Sequence, residues 1–445
     1  MKLRYRRTIL VGFAFLAICA FWQMYDNVIP LILTETFHLN ETLSGAIMAA
    51  DNVLALFLLP LFGALSDRTR TRFGKRMPYI FAGTILAVIL MNVLPVLDNA
   101  YFRTPTSGKL AAFVAVLGLL LVAMGLYRSP AVALMPDVTP KPLRSRGNAV
   151  INLMGALGGI LYLLAANVLY SAEATEGLAH VDYQPLFLVV GGIMLLSLLI
   201  QVFTIREEPM AEDVRRWEAE HPEPEEADGA AGKGGFAALP REVRRSLFFL
   251  LLSIALWFIG YNGVTTWFTT YASQVWGMAL GEASGCLMLA TGGAIVSYLP
   301  VGAAAARVGR KRTIAFGVVL LAGCFLACFV YSLFFRSFSP ALYVLFALVG
   351  LAWAAINVNS LPMVVEMCRG GDIGKFTGYY YSFSMAAQII TPIAAGWLLR
   401  NVSYHALFLY AGGAVALALL TMSQVRHGDS RAPRKKGLEN FDVED

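Results

Sequence analysis

The sequence predicts an all-α membrane protein with twelve transmembrane helices, and three observations lead there. First, 58% of the 445 residues are hydrophobic and only 14% are charged, with a mean hydropathy of +0.63; a soluble domain carries about 25% charge. Second, apolar stretches of about 20–27 residues recur between short polar loops, long enough to cross a bilayer core as helices. Third, the basic residues alternate between loops. Thirty of the 35 Lys and Arg fall on the side of the N-terminus and four on the other, Arg103, Lys109, Arg336 and Arg400, while Arg128 lies inside a helix. That split follows the positive-inside rule and predicts both termini in the cytoplasm. It also checks the helix count, since a missed span would scramble the alternation. Together these features exclude a soluble enzyme, a nucleic-acid-binding protein and a disordered chain. A β-barrel would show short alternating segments instead.

The spans run in order. The first, 8–33, follows the basic stretch Met1 to Arg7. It is too long for a signal-peptide core, and Ile18 stands where a lipoprotein-type cut before Cys19 would want a small residue, so it is expected to stay as a helix. The next five are 42–66, 78–97, 110–135, 147–170 and 184–204. A polar loop, 205–244, follows, opening with a charged helical stretch from Glu207 to Glu220 and closing in a Pro/Gly/Ala-rich tether. The second set is 246–271, 281–304, 313–335, 340–366, 376–399 and 403–425. The domain scheme is therefore a bundle at 1–204, a cytoplasmic linker at 205–244, a second bundle at 245–425 and a polar tail at 426–445. The five cysteines form no CxxC or Cys/His cluster and the five histidines are scattered, so no metal or other cofactor is expected.

Two similarities link the halves. Gly63-Ala-Leu-Ser-Asp67-Arg68 with Arg72-Phe-Gly74-Lys75-Arg76 matches Gly302-Ala-Ala-Ala-Ala306-Arg307-Val-Gly309-Arg310-Lys311 at an offset of 239 residues. Phe21-Trp22-Gln-Met-Tyr25-Asp26-Asn27-Val28 matches Trp257-Phe258-Ile-Gly-Tyr261-Asn262-Gly263-Val264 at 236. The near-equal offsets indicate duplication. In the loop motif, Gly63 permits close helix approach. Asp67 can accept from a helix N-terminus or pair with a basic residue across the halves, as a cytoplasmic latch. The second copy has Ala306 there, so the latch is asymmetric. Arg68, Arg72, Gly74, Asp137, Arg307 and Glu366 are further gate candidates, Glu366 lying at the inner end of the tenth span.

Three ionisable residues remain deep in the spans: Asp26, Asp51 and Arg128. A charge there is expensive unless paired or hydrated, which makes each a functional candidate. At 1.5 Å per residue, Asp51 and Asp26 lie roughly 14 and 10 Å from the outer helix ends and Arg128 roughly 12 Å from the inner end. The expectation is that Asp26 or Asp51 carries a coupling proton and Arg128 resets it; the alternative is a structural salt bridge of Arg128 with one aspartate.

The sequence resembles the major facilitator superfamily over nearly its whole length, and within it the sugar/cation symporters: sucrose/proton symporters and the glycoside–pentoside–hexuronide group. The resemblance is carried by Gly63 through Pro78 with its long Thr-Arg-Thr-Arg-Phe-Gly-Lys form, by Arg128 through Asp137, by Asn148 to Gly159 and by Gly378 to Pro392. It implies two pseudo-symmetric six-helix bundles in a parallel repeat, rocking around a central site. In the resembled fold helices 1, 4, 7 and 10 line that site, here offering Tyr25, Asp26, Asn27, Tyr261, Asn262, Trp267, Trp353, Asn357 and Asn359; helix 11 adds Tyr380 and Gln388. Two departures stand out. The acidic pair of melibiose-permease-like members falls on Ala55 and Leu59, so the sodium-binding pair is missing and the proton is the expected coupling ion. Plant sucrose symporters place an Arg directly before an Ala-Leu-x-x-Asp stretch; here that stretch begins at Ala133 and the only Arg is Arg128. The reading is a non-enzymatic, plasma-membrane importer of a sugar, a disaccharide or glucoside, working as a monomer with the bilayer as its other partner and no nucleic acid. The runner-up is a proton-driven efflux antiporter. Such antiporters carry Gly-x-x-x-Gly-Pro on helix 5, and Gly155-Ala-Leu-Gly158-Gly159 lacks the proline.

Overall fold

The computed structural model describes residues 4–140, 143–220, 239–367 and 373–429. Among them, twelve helices are long and apolar enough to cross a membrane. In order these are α1 (Tyr5–Leu31), α2 (Glu41–Arg68), α3 (Met77–Arg103), α4 (Ser107–Asp137), α5 (Arg144–Leu169) and α7 (Gln184–Thr204), then α9 (Arg241–Trp276), α10 (Leu280–Val308), α11 (Arg310–Phe334), α12 (Ala341–Val365), α13 (Ile373–Asn401) and α14 (Ala406–Ser423). Two shorter helices do not span: α6 (Ala172–Thr175) and α8 (Glu207–Glu220).

Most helices outrun their apolar cores, because capping rather than hydropathy fixes where a helix stops. Asn40 caps α2 by accepting from Leu43 N–H at 2.8 Å. Pro78 occupies the first turn of α3, where its missing N–H costs nothing. α9 runs for 36 residues, well beyond the expected 246–271, and stops at Gly277 in the left-handed region at φ 61°. α1 passes into a π turn, Ile32–Thr36, just after Pro30.

The chain divides into two compact units. Unit 1 comprises Met1–His221 with Met278–Met288, and unit 2 comprises Pro222–Gly277 with Leu289–Asp445. The tether from His221 to Gly235 lies outside the described residues. The start of α10 belongs to unit 1 because Gly281 N–H donates to Tyr170 O at 2.8 Å, while Asn167 Nδ2 donates to Gly281 O at 2.7 Å.

Within unit 1, α1 packs against α5, and α3 against α4 and α7. The α1–α5 contact is a backbone contact: a Cβ on Gly158 would run into the Leu16 carbonyl. In unit 2, α9 packs on α13 and α14, and α11 on α12 and α14. Small residues at such crossings suit a bilayer, where close packing rather than water exclusion holds helices together. Large apolar side chains such as Phe203, Val296 and Phe334 are exposed on the helices, as a lipid-facing surface requires. Cys286, Cys324 and Cys328 are buried within helices; Cys368 lies outside the described residues.

Candidate functional site

In unit 1 the charged cluster is assembled around α4. Tyr127 Oη donates to Ala14 O on α1 at 2.9 Å, and Ser129 Oγ donates to Leu59 O on α2 at 2.7 Å. These two bonds flank Arg128 and pin α4 to both neighbours, so the guanidinium is held among α1 and α2. Its Cζ sits 5.7 Å from the centroid of the Trp22 ring, within range of a cation–π contact. Asp51 lies within electrostatic reach of Arg128, and Asp26 within reach of Asp51. Unit 1 therefore brings together the three intramembrane charges that the sequence singled out.

Their bonding is sparse. Among the described residues no ion pair joins Arg128 to either aspartate, so the structural salt bridge is absent. Asp51 Oδ1 accepts from its neighbour Asn52, from N at 2.5 Å and from Nδ2 at 2.7 Å. Among the described residues, Trp22 Nε1, Tyr25 Oη and Tyr162 Oη are buried without a hydrogen-bond partner. Tyr25 and Tyr162 both lie within electrostatic reach of Asp26, and Trp22 is the residue whose ring lies under Arg128. Two buried hydroxyls near a carboxylate make a site equipped to bind water, a proton carrier or a hydroxylated ligand. Trp22 and Tyr162 were not singled out from the sequence. Tyr162 follows Gly158 and Gly159 by about one turn, and the close α1–α5 crossing at Gly158 is what brings it to α1. Asn27 is buried and spends Nδ2 on Gln23 O at 2.5 Å.

In unit 2 the residues form an aromatic and amide face. Tyr261 of α9 stacks on Trp353 of α12, ring centroids 3.7 Å apart at 7°. Phe258 meets Trp353 and Tyr380 edge-on at 5.3 and 6.4 Å. Both members of the stacked pair are half-buried, as are Asn262 and Gln388. Asn262 and Asn359 each spend one amide hydrogen on the carbonyl a turn back, Phe258 O and Ala355 O, both at 2.9 Å. Asn357 is buried on α12. Trp267 is placed differently from its sequence-based expectation. It is fully buried, and its Nε1 donates to Pro392 O at 3.0 Å, which bolts α9 to the proline-bearing turn of α13.

At the end of unit 1 that carries the N-terminus, Arg76 is the organising residue. It is almost fully buried and pairs with Asp67, with Asp137 at 2.9 Å and with the Ser66 hydroxyl. Lys75 adds a 3.1 Å pair with Asp137. The basic partners found for Asp67 among the described residues, Arg76 and Lys75, are in its own unit. The helix N-terminus is served by a different acid. Glu207, the first residue of α8, accepts from the backbone N–H of Lys75, Arg76 and Met77 at 2.9–3.0 Å. Gly74, at φ 104°, leaves the room for it, since a Cβ there would strike the Glu207 side chain. Burial pushes the Glu207 carboxyl above its ordinary value, and the three N–H groups pull it back. Arg68, Arg72 and Arg307 are exposed; Arg72 lies over the ring of its neighbour Phe73.

Unit 2 repeats this device. Gly309 sits at φ 98°, and Asp429, after α14, accepts from Lys311 N–H at 2.9 Å at the start of α11. Arg310 pairs with Glu366 at the end of α12, as Arg76 pairs with Asp137 at the end of α4. Gly74 and Gly309 are 235 residues apart, in line with the repeat offsets read from the sequence.

The profile of the Major Facilitator Superfamily matches residues 11–332 and 284–443. The chain belongs to the major facilitator superfamily. Like the superfamily's other members it is a transporter and not an enzyme. Human solute carrier family 45 member 3 is 32% identical over 143 residues, 31% of this chain and 26% of that protein. Mouse proton-associated sugar transporter A is 31% identical over 126 residues, 27% and 17%. Sucrose transport protein SUC4 of Arabidopsis thaliana is 31% identical over 114 residues, 24% and 22%. The match thus spans about a quarter or less of these relatives' length. Among solved structures of the superfamily, the inward-open xylose transporter XylE of E. coli aligns over 98% of this chain and 99% of its own, with TM-score 0.68 and 15% identity. The nucleoside transporter NupG aligns over 94% and 99%, with TM-score 0.65 and 14% identity. At such identity the likeness is one of fold.

Proposed function

We propose that this transporter imports a sugar, a disaccharide or glucoside, together with protons, by exposing its binding residues to the two sides of the membrane in turn. The observation that carries the reading is the unit 1 cluster: Asp51 within electrostatic reach of both Arg128 and Asp26, with none of the three in an ion pair among the described residues. A half-buried carboxylate within the membrane with a cation nearby is a switchable proton site. In this reading Asp26 or Asp51 takes the proton, and Arg128 neutralises the emptied carboxylate so that the unloaded carrier can return.

The unit 2 face supports the sugar assignment. A stacked Tyr261–Trp353 pair suits the apolar face of a pyranose ring, and the amides of Asn262, Asn357, Asn359 and Gln388 suit its hydroxyls. The names of the sucrose transport and proton-associated sugar transport relatives point to the same substrate class. The basic-residue alternation supports cytoplasmic termini; a plasma-membrane location and a monomeric carrier complete the proposed reading.

The test is uptake by purified carrier in liposomes, with a panel of disaccharides and glucosides and an inward proton gradient. The expected outcome is uphill accumulation that Asp26→Asn or Asp51→Asn abolishes while gradient-free exchange persists. Full accumulation in both variants would sink the coupling assignment. Cation-dye efflux with no sugar signal would favour a proton-driven antiporter instead.

A further inference from the structure

At the end of unit 1 opposite α8, the last turns of α3 and the 176–184 segment meet around a carboxylate that the transport reading does not use. Asp98 is fully buried, and among the described residues neither of its oxygens has a partner at full hydrogen-bond geometry, the Thr36 hydroxyl being the one donor that approaches it. The imidazole of His180 sits beside it, with Nε2 3.6 Å from Asp98 Oδ2. Two contacts hold the ring there. It stacks on Phe102, one turn along α3, with centroids 4.4 Å apart at 11°, and its Nε2 lies 2.8 Å from Asn99 Oδ1.

The hydrogen-bond network fixes where the ring proton is. Asn99 Nδ2 donates to Asp182 Oδ1 at 2.7 Å, and that same oxygen accepts from Gln184 N at 2.9 Å. A carboxylate oxygen only accepts, so the Asn99 amide points its Oδ1 at His180. His180 Nε2 therefore carries the proton. Burial holds this imidazole below its ordinary value, opposed by the Asp182 charge.

Among the described residues, no Lys or Arg is among the groups that act on Asp98. Glu35 and Thr36 face the cluster from the turn after α1, and Asp182 and Tyr183 from the start of α7. Lys109 of α4 directs its Nζ at the Ala100 and Thr104 carbonyls, at 2.9 and 2.7 Å. Among the described residues no ion pair joins it to Asp98. A buried carboxylate with no paired cation and only one approaching hydroxyl is costly when ionised, and a single proton, on the carboxyl or on the imidazole, removes that cost.

We propose that Asp98 and His180 form a one-proton binding site, separate from the Asp26–Asp51–Arg128 cluster, through which acidity on that face clamps the 171–183 segment onto α3. The clamp reaches further. Tyr170 Oη donates to Asp182 O at 2.8 Å, and Tyr170 O accepts the Gly281 N–H. Proton occupancy is therefore felt where the start of α10 seats on unit 1.

The sign follows from proton counting. When the segment lifts, a solvated carboxylate titrates near about 4 and an imidazole near about 6.5. Above neutrality the released pair then holds fewer protons than the clamped pair, so rising pH favours release. A buried neutral histidine acting by itself gives the opposite sign: released, it takes up a proton in acid, so acid would loosen the segment.

The experiment is hydrogen–deuterium exchange on the full-length protein in lipid nanodiscs at pH 6 and pH 8, corrected for intrinsic exchange rates. It needs no substrate and no proton gradient, so it stands or falls independently of the transport assignment. The peptides spanning 171–184 and 278–285 are expected to lose protection at pH 8, by up to about tenfold per pH unit for one linked proton. Asp98→Asn leaves His180 as a buried neutral histidine by itself, so the wild-type loss of protection at pH 8 should disappear and the dependence should reverse, with protection falling severalfold at pH 6. His180→Gln keeps a donor for Asn99 but cannot share the proton, so its transition should move to lower pH. The proposal is overturned if wild-type protection is independent of pH, if acid loosens the segment, or if Asp98→Asn keeps the wild-type dependence. An unchanged midpoint in His180→Gln also overturns it, and that variant decides alone if Asp98→Asn does not fold.

Discussion

Single positions differ in how far their neighbours along the chain announce them. Asp26, Asp51 and Arg128 are conspicuous because each is a charge in an otherwise apolar run, and cost alone marks them. Glu207 is not conspicuous: it opens a helix rich in acids, where any Glu reads as solvated. Its burial against three backbone N–H groups depends on Gly74, whose positive φ cannot be read from composition. Removing its acceptors should therefore matter. Glu207→Ala leaves up to three amides without their partner and is expected to cost about 1–3 kcal/mol, while Glu207→Gln keeps one acceptor oxygen and costs less. Thermal unfolding of the detergent-solubilised protein would rank the two, and equal midpoints would count against the cap. The pH sign is worked out from the raised carboxyl value. The folded state holds the proton more tightly than the unfolded chain does, so the Glu207 contribution is fully present in acid and declines as pH rises through its folded value. Mild acid should leave α8 docked.

At the level of helices, apolar length identified the spans, but contacts decided how each is turned. Trp267 shows the difference. Its place on the seventh span, which lines the site in the resembled fold, made it a ligand candidate, yet it is fully buried and its Nε1 is spent on Pro392 O. A helix this apolar carries too weak a periodicity for the sequence to say which way a tryptophan points, since lipid and protein interior are equally greasy. Glycines sort the same way. Gly158 lies against the Leu16 backbone, whereas a Cβ at Gly192 would meet nothing within 4 Å. Gly158→Ala should force α1 from α5 and cost about 1–3 kcal/mol, lowering the unfolding midpoint and disturbing Tyr162 and Asp26 with it. Gly192→Ala should leave stability unchanged or slightly raised. Equal effects of the two substitutions would show that the crossing is loose.

For the molecule as a whole, duplication is written in both sequence and structure. The offsets of 236 and 239 read from the motifs are joined by the 235-residue spacing of Gly74 and Gly309, each opening a helix start to a carboxylate from the segment that follows the last span of its unit. Among the described residues, each unit supplies the acid at this helix start from its own chain segment. A chain cut between 221 and 222 and expressed as two pieces should accordingly reassemble and recover transport, while neither piece alone should transport. Activity of one piece, or failure of two stably inserted pieces to restore any, would contradict that organisation. The exchange of residues 278–288 into unit 1 makes the Gly281–Tyr170 seat the contact most exposed to such a cut.

By itself the sequence determined the membrane class, the twelve spans, their alternation of basic loops, the repeat and the three charges buried in the spans. These are sums along the chain, and a bilayer responds to such sums: a run of apolar residues inserts whatever its neighbours do, and a basic loop stays on its side. The tertiary structure alone decided the partners. It gave Arg76 to Asp67 and Asp137, seated Glu207 on a helix start 132 residues away along the chain, stacked Tyr261 on Trp353 and closed His180 over Asp98. Such pairings depend on helix rotation and loop seating, which are fixed by packing between segments far apart in sequence and leave no local trace.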